Sequence, residues 1–256
     1  MAVINETSRE TLVVRDQMDL RVIKGDYLAQ RRKYRRQVLV CGGAGCISSH
    51  CQEVKDALHE SLANYQLEDE IEVLVTGCMG TCSLGPVILV EPDGVFYTEM
   101  DPEKVDHIVF RHLMNDEVCE EYTYFDDDMG IHVPLMKDIG FFEGQVRIAL
   151  RNCGRMEFSS LAAYISRDGY GALAKVLSGM SREEVVAVVK NSGLRGRGGA
   201  GFPTGVKWEA GMKAQSPDGR KFMVCNADEG DPGAFMDRSL LEGDPHSVIE
   251  GMMLGG

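Results

Sequence analysis

Residues 37–46 have the sequence QVLVCGGAGC, in which a short apolar run typical of a buried strand ends at Cys41 and another cysteine, Cys46, follows after four residues. A second stretch, IEVLVTGCMGTC, has the same design, with Cys78 and Cys82 separated by three residues. Two cysteine pairs at the ends of neighbouring strands can converge on one point. We therefore expect the two pairs to lie close together.

Strand and helix patterns alternate around these pairs. A helix is predicted from Ser48 or Ser49 to about Tyr65, with three apolar residues, Val54, Leu58 and Leu62, on one face. The triplet PDG at 92–94 predicts a tight hairpin turn, and the dipeptide DP at 101–102 predicts a helix start. The predicted strands span residues 37–40, 71–76, 87–90 and 95–100. This order, β-α-β-β-β-α, describes a small α/β layer fold.

The rest of the chain is predicted to form a second domain. Residues 116–128 contain seven acidic residues and no Lys or Arg, which disfavours a compact core and predicts a linker. Ser181 and Glu184 predict a capping box, and further helices are expected at 206–213 and from Asp244-Pro245. The predicted domains are an N-terminal extension (1–34), an α/β domain (35–115), an acidic linker (116–130) and a second domain (131–256).

Only one strand, residues 221–225, is predicted in the second domain. A single strand cannot form a sheet, so either partner chains complete the layer or the sequence is a fragment of a longer polypeptide. We favour the fragment.

Four thiolates at these spacings can hold a 2Fe-2S cluster. Glycines between the cysteines let backbone N–H groups approach the charged sulfides. Three alternatives remain: a structural zinc, which favours Cys-x2-Cys pairs; a dithiol oxidoreductase, which uses Cys-x-x-Cys; and buried cysteines without a ligand. Cys51, inside the predicted helix, is interpreted as a buried cysteine, with a swapped ligand as the alternative.

Composition limits the partners. The 256 residues carry a formal net charge of −13, which disfavours nucleic acid and anionic lipid. No apolar run approaches the roughly 18 residues of a membrane span, and residues 1–10 lack the apolar stretch of a signal peptide. We expect a cytoplasmic protein with reduced cysteines. The basic run from Arg31 to Arg36 is either a solvated helix end or a docking patch for an acidic partner.

A glycine-rich loop occupies residues 193–205, GLRGRGGAGFPTG. Gly196, Gly198 and Gly201 formally satisfy G-x-G-x-x-G, but a helix precedes them where a dinucleotide fingerprint follows a strand. Glycines nevertheless let the backbone approach a flat or phosphorylated ligand, and the helix that follows attracts anions.

Polar residues follow the predicted strand 221–225. Asn226, Asp228 and Glu229 would lie at its carboxyl end. An amide and carboxylates there suit a ligand with a ring N–H and several hydroxyls, such as a flavin with its ribityl chain.

The cysteine spacings, the TGCMGTC motif and Gly85-Pro86 followed by the 87–97 hairpin resemble the thioredoxin-like 2Fe-2S ferredoxin family. That family occurs in a small flavoprotein-associated subunit of respiratory complex I and as a domain of related dehydrogenases. The resemblance implies a thioredoxin-like fold with these cluster ligands: Cys41, Cys46, Cys78 and Cys82.

Residues 193–208 and 225–235 resemble the FMN-binding domain of the NADH-oxidising flavoprotein subunit of complex I and its soluble relatives. The resemblance implies the N-terminal part of an FMN-binding α/β (Rossmann-like) domain. The implied FMN site consists of Gly196, Arg197, Gly198, Gly199, Gly201, Lys207, Asn226, Asp228 and Gly230. Phe202, Glu229 and Asp231 are implied to lie toward the nicotinamide nucleotide. Asp231 stands where many relatives have Glu.

The fusion of both domains is similar to the β subunit of soluble NAD-dependent, often electron-bifurcating, iron-only hydrogenases. It implies a subunit that passes electrons between NAD(H) or NADP(H), FMN and iron-sulfur clusters, with the cofactors performing the chemistry and no catalytic side chain. The implied partners are a catalytic iron-sulfur subunit and a small 2Fe-2S subunit, and 4Fe-4S clusters would belong to a further C-terminal part. The alternatives are a diaphorase subunit of a formate dehydrogenase or of complex I, and a non-enzymatic 2Fe-2S carrier or docking module.

Overall fold

The structure, a computed structural model, describes residues 14–256. Residues 1–13 of the predicted N-terminal extension lie outside the described part. The strands within residues 14–256 are β1 (Arg36–Cys41), β2 (Ile71–Thr76), β3 (Ile88–Glu91), β4 (Val95–Tyr97), β5 (Tyr124–Asp126) and β6 (Ile131–Val133). The helices there are α1 (Gln17–Arg31), α2 (Ala44–Ser48), α3 (Cys51–Asn64), α4 (Pro102–Ile108), α5 (Leu161–Ser166), α6 (Gly171–Leu177), α7 (Arg182–Asn191), α8 (Thr204–Lys213), α9 (Met236–Gly243) and α10 (Pro245–Gly255). No helix in this part of the chain is long and apolar enough to cross a bilayer.

The four predicted strands of the first domain form one sheet in the order β2-β1-β3-β4. Strands β1 and β2 are parallel and end in register, with Cys41 opposite Thr76. Strands β3 and β4 form the predicted hairpin, and Gly94 in its turn has a φ of 73°, which a glycine adopts without strain. The shared end of β1 and β2 is the edge at which the cysteine pairs were expected to meet.

The helix predicted from Ser48 or Ser49 is wrong at its start. Two helices, α2 and α3, replace it, because His50 between them adopts the left-handed conformation at φ 66° and interrupts the hydrogen-bond ladder. Cys51 is consequently the first residue of α3. The predicted apolar face of α3 is confirmed, since Val54, Leu58 and Leu62 are buried against the sheet.

Helix α4 begins where the sequence predicted. The Asp101 side chain accepts a hydrogen bond from the Lys104 amide at 2.9 Å, and Pro102 occupies the first turn. The helix continues as a wider π-helical segment, Val109–Met114. Val105, Ile108 and Leu113 are fully buried along it.

The acidic segment, which we predicted to be a linker, packs against the first domain. Its acids alternate with apolar residues, and Cys119 and Thr123 are buried in the first core. The hairpin β5-β6 follows, Thr123 bridges to Tyr97, and the Phe96 amide donates to the Pro134 carbonyl at 2.8 Å. Basic side chains of the first domain pair with several of the acids, including Arg111 with Glu117 and Glu121. The first core therefore extends past 115, with Ile139 buried in it and Phe142 packed against it.

Helix α1 packs on α5, although the sequence shows no clear helical period there. Its Arg31 forms ion pairs with Glu72 and Glu157, and the guanidinium stacks on the Tyr27 ring. Arg35 pairs with Glu70, and Arg36 with Asp93 and Asp116. Much of the basic run is thus engaged within the chain, which weakens its interpretation as a docking patch.

The regular elements that the structure shows between residues 154 and 256 are all helices, α5 to α10. The capping box at the start of α7 is confirmed: the Glu184 amide and Ser181 hydroxyl are 3.3 Å apart, and the Glu184 carboxylate accepts from the Ser181 amide at 2.7 Å. The strand predicted at 221–225 is wrong, because the segment is exposed, with Phe222 at 80% and Val224 at 77%, and no neighbouring strand of the described residues pairs with it.

Candidate functional site

The four predicted cluster cysteines come together at the shared end of β1 and β2. Cys41 is the last residue of β1, and Cys78 follows β2 by two residues. Cys46 lies in α2, and Cys82 begins a 3-10 turn, Cys82–Leu84. The Cys41 thiol interacts with the thiols of Cys46 and Cys78, and the Cys78 thiol with that of Cys82. The structure thus brings the four thiols together, as the strand pattern predicted. Their contacts run in the order Cys46, Cys41, Cys78, Cys82, and we call these residues the cysteine site.

Glycines form the wall of this cysteine site. A Cβ atom on Gly43 would lie 3.0 Å from the sulfur of Cys78, and one on Gly45 would lie 3.0 Å from the sulfur of Cys82. A Cβ atom on Gly85 would lie 3.0 Å from the Cys46 sulfur. Real Cβ atoms avoid such distances, so glycine is required for the segments to approach the sulfurs this closely.

Backbone N–H groups lie close to the sulfurs of this site. The Met79 amide donates to the Cys41 sulfur at 3.5 Å. Neighbouring amides also lower the thiol pKa of each cysteine, that of Gly43 at Cys41, Val87 at Cys46, Gly80 at Cys78 and Gly45 at Cys82. Such donors stabilise negative charge on thiolates and on the sulfides they would carry.

The thiols also perturb one another. The hydrogen bond between Cys41 and Cys46 raises the pKa of Cys41 to about 11 and lowers the pKa of Cys46, since one proton is shared by two close sulfurs. The hydrogen bond to Cys41 raises the pKa of Cys78. Four thiolates so close together repel one another, so a cation between them would be needed to hold all four deprotonated.

The donor set consists of four cysteine thiols at one edge of the sheet. Among residues 14–256, no three Cys, His, Asp or Glu side chains lie close enough to hold one metal ion. The Met79 amide donates to the Cys41 sulfur, and glycines flank the sulfurs of Cys46, Cys78 and Cys82. Four thiolates with this support fit a 2Fe-2S cluster. Cys41 and Cys46 are buried while Cys82 is exposed, so one side of the site faces solvent.

The remaining cysteines do not belong to the cysteine site. Cys51 is 6% exposed and packs in the first core, where burial raises its pKa. Cys119 is buried in the same core, and Cys225 is exposed. Cys153 is fully buried between Gly77, next to Cys78, and Gly243, at the end of α9. The second half of the chain therefore contacts the cysteine loop directly, which the sequence did not indicate.

The glycine-rich loop forms a closed turn before α8. The Gly196 amide donates to the Phe202 carbonyl at 2.8 Å, and the Thr204 amide donates to the Leu194 carbonyl at 2.9 Å. The Arg195 guanidinium closes the loop by donating to the Gly201 carbonyl at 2.6 Å. Four predicted FMN contacts in the loop are exposed: Gly196, Arg197, Gly198 and Gly199. Phe202 and Lys207 are exposed as well.

The second predicted set of flavin and nucleotide contacts lies at another place. A cavity of about 520 Å³ is lined by Glu229, Gly230, Asp231 and residues of α9, and by no residue of the glycine-rich loop. The Asn226 side chain accepts from the Asp228 amide at 3.0 Å. The Glu229 carboxylate caps α9, accepting from the Asp237 amide at 2.9 Å and the Arg238 amide at 3.2 Å. The structure therefore does not bring the two predicted sets into one pocket.

Comparison with known proteins finds a family similar to each of two segments of the chain. Residues 26–112 match the thioredoxin-like 2Fe-2S ferredoxin family, and residues 189–256 match the Nuo51 FMN-binding domain. Two separate segments of the chain are thus each similar to one of these families.

Individual relatives are similar over part of the chain. The NADP-reducing hydrogenase subunit HndC of Solidesulfovibrio fructosivorans is 61% identical over 44% of this chain and 22% of its own length. A subunit of the NADH-quinone oxidoreductase of Rhizobium meliloti is 49% identical over 41% of this chain and 24% of its own length. A solved thioredoxin-like 2Fe-2S ferredoxin from Aquifex aeolicus is 36% identical, with a TM-score of 0.33 over 35% of this chain and 95% of that one. The chain thus spans about a quarter of the length of the curated relatives it matches.

Proposed function

We propose that this chain is an electron-transfer subunit of a hydrogenase-type oxidoreductase, in which electrons pass between NADH or NADPH, FMN and iron-sulfur clusters. The observation that carries the proposal is the group of four thiols at the end of β1 and β2, flanked by glycines that let the backbone approach the sulfurs closely. The similarity to a hydrogenase subunit and to the Nuo51 FMN-binding domain supports the flavin half.

The protein residues in this proposal hold and orient the cofactors. When bound, FMN supplies hydride exchange with the nicotinamide nucleotide and single-electron exchange with the cluster. The four cysteines bind the irons. Arg197 and Lys207 attract the FMN phosphate at the start of α8, while Gly198 and Gly199 leave room for a flat ring. We propose Asn226, Asp228 and Gly230 as further flavin contacts, and Phe202, Glu229 and Asp231 as nucleotide contacts. Binding FMN would have to bring the 226–231 segment to the glycine-rich loop, since the two lie at different places in the structure.

The proposed partners are other subunits of the same complex. Curated relatives are named as subunits of a hydrogenase and of NADH-quinone oxidoreductase. We infer that this chain exchanges electrons with a catalytic iron-sulfur subunit and a small 2Fe-2S subunit. Its free cysteines suit a reducing compartment, which we propose to be the cytoplasm.

The cluster half is tested by electron paramagnetic resonance of the chain after anaerobic reconstitution and reduction. We expect the signal of a one-electron-reduced 2Fe-2S centre, with about two irons and two acid-labile sulfides per chain. A protein that retains zinc instead, or iron without sulfide, would contradict this half of the proposal.

The flavin half is tested by titrating FMN and following its fluorescence. We expect Lys207→Gln to weaken FMN binding about tenfold, because a hydrogen bond to a charged group contributes ~1.5–3 kcal/mol. Lys213→Gln is the matched control, since Lys213 lies at the far end of α8 and pairs with Glu209 at 2.9 Å. Equal affinities of the two variants would show that Lys207 does not contact the phosphate.

A complex I subunit is the second candidate, favoured by the relatives that are named as subunits of NADH-quinone oxidoreductase. The two candidates differ in what co-purifies with the chain. A subunit with hydrogenase activity supports the first, and quinone-reducing membrane subunits support the second.

A further inference from the structure

We propose that Arg147 sets the reduction potential of the iron-sulfur centre, by polarising the peptide group that joins Met79 to Gly80 beside the ligand Cys78. The inference rests on the proposed function, since it concerns the cluster that the four cysteines would hold. Arg147 lies between the two stretches that match known families, 26–112 and 189–256, so neither match accounts for it.

The contacts of Arg147 converge on the cysteine loop. Its Nη2 atom donates to the Met79 carbonyl at 2.6 Å, and its Nη1 atom donates to the Cys153 carbonyl at 3.4 Å. Met79 is fully buried, and the guanidinium is partly buried. Hydrogen bonds to a charged donor are stronger than neutral ones, more so away from water, so this contact is a strong one.

The Met79 carbonyl belongs to the same peptide group as the Gly80 amide, and that amide lowers the pKa of the Cys78 thiol. A cation bound to the carbonyl oxygen withdraws electrons from the peptide group and makes its N–H a better donor, because linked hydrogen bonds strengthen one another. The preceding amide, that of Met79, faces the Cys41 sulfur at 3.5 Å. Arg147 therefore acts on the sulfurs through one peptide group, and also through its own positive charge.

Both effects stabilise the reduced cluster more than the oxidised one, because the reduced cluster carries one more negative charge. Cluster potentials depend on net charge and on hydrogen bonds to the sulfurs. We therefore expect Arg147 to raise the potential. It is a positioning residue, since its side chain donates to the backbone carbonyls of Met79 and Cys153.

The backbone around Arg147 is shaped to hold it there. Gly80 has a φ of 101°, and a Cβ atom on it would lie 3.2 Å from Nη2 and 3.6 Å from the Phe141 ring. Gly154 has a φ of 75°, and a Cβ atom there would lie 2.8 Å from the Met79 side chain. A glycine on each side thus lets the 141–154 segment lie directly against the cysteine loop.

The test is a redox titration of the reconstituted full chain, followed by electron paramagnetic resonance, with Arg147→Gln as the variant. We expect the ratio of oxidised to reduced cluster at a fixed potential to rise about tenfold, a shift of ~59 mV to a more negative midpoint for a one-electron couple. Arg151→Gln is the matched control. It removes the same charge four residues away, but Arg151 is exposed and its guanidinium donates only to the Ile148 carbonyl, at 3.3 Å. We expect the control to change the ratio less than about twofold, because exposed charges are screened.

Equal midpoints for Arg147→Gln and Arg151→Gln would overturn the inference, while leaving the cluster assignment intact. If the wild-type chain binds no 2Fe-2S centre, the proposed function fails and the inference fails with it. If Arg147→Gln alone fails to retain iron, Arg147→Lys decides, because it keeps the charge and loses the two-pronged contact. A midpoint below that of the Arg151→Gln control then supports the inference, and a midpoint equal to it overturns the inference.

Discussion

Cys78→Ala is expected to abolish the 2Fe-2S signal of the reconstituted chain, whereas Cys51→Ala retains it. Cys78 is a central member of the cysteine site, because its thiol interacts with the thiols of both Cys41 and Cys82. Alanine has no donor atom, so one iron would be left with one protein ligand instead of two. We expect iron and sulfide contents at least about tenfold below wild type, since even losing an indirect ligand contact costs 10–100-fold in metal affinity.

Cys51→Ala is the matched control because Cys51 is also a cysteine beside the site, yet it packs in the first core at 6% exposure. We expect Cys51→Ala to lower the free energy of unfolding by about 1 kcal/mol, as for other small buried side chains. The iron content should not fall. Both contents are measured by chemical analysis next to the electron paramagnetic resonance spectrum. Iron loss in Cys51→Ala together with retention in Cys78→Ala would show that the ligand set is misassigned.

Much of this site could be predicted from the sequence because its geometry follows from strand direction. Parallel strands end at one sheet edge, so cysteines placed just after β1 and β2 must meet. The glycines were equally informative, since Gly43 and Gly45 stand where any side chain would collide with a sulfur. Both signals are local in sequence and have one structural solution.

Other features depend on contacts that local patterns do not encode. The acidic segment was predicted as a linker from its charge, but its apolar residues pack in the core while basic partners such as Arg111 pair with its acids. The strand predicted at 221–225 has a suitable composition, but a strand needs a neighbour, and none of the described residues supplies one. Arg147 and Met79 are in contact although they are 68 residues apart in the sequence. The periodicity of local sequence patterns carries no information about contacts at that separation.

The second half of the chain gives the other large expected effect, at the crossing of α7 and α8. Gly205, in the first turn of α8, is buried, and a Cβ atom on it would lie 2.4 Å from the Cα atom and 2.5 Å from the amide nitrogen of Lys190 in α7. These are backbone atoms, which cannot rotate away. Gly205→Ala must therefore push the two helices apart, and the Lys190 to Glu209 ion pair that joins them at 2.8 Å would be stretched.

We expect Gly205→Ala to lower the free energy of unfolding by about 1–3 kcal/mol, the usual cost of overpacking a close contact. The glycine-rich loop connects α7 to α8, so separating the helices should also open the loop and weaken FMN binding.

Gly211→Ala is the matched control in the same helix, where a Cβ atom would meet nothing within 4 Å. Alanine is the better helix former by ~1 kcal/mol, so this control should stabilise the chain or leave it unchanged. Urea unfolding followed by circular dichroism measures both. Equal stabilities of the two variants would mean that the helices do not cross at Gly205, and the loop would then have to be held by other contacts.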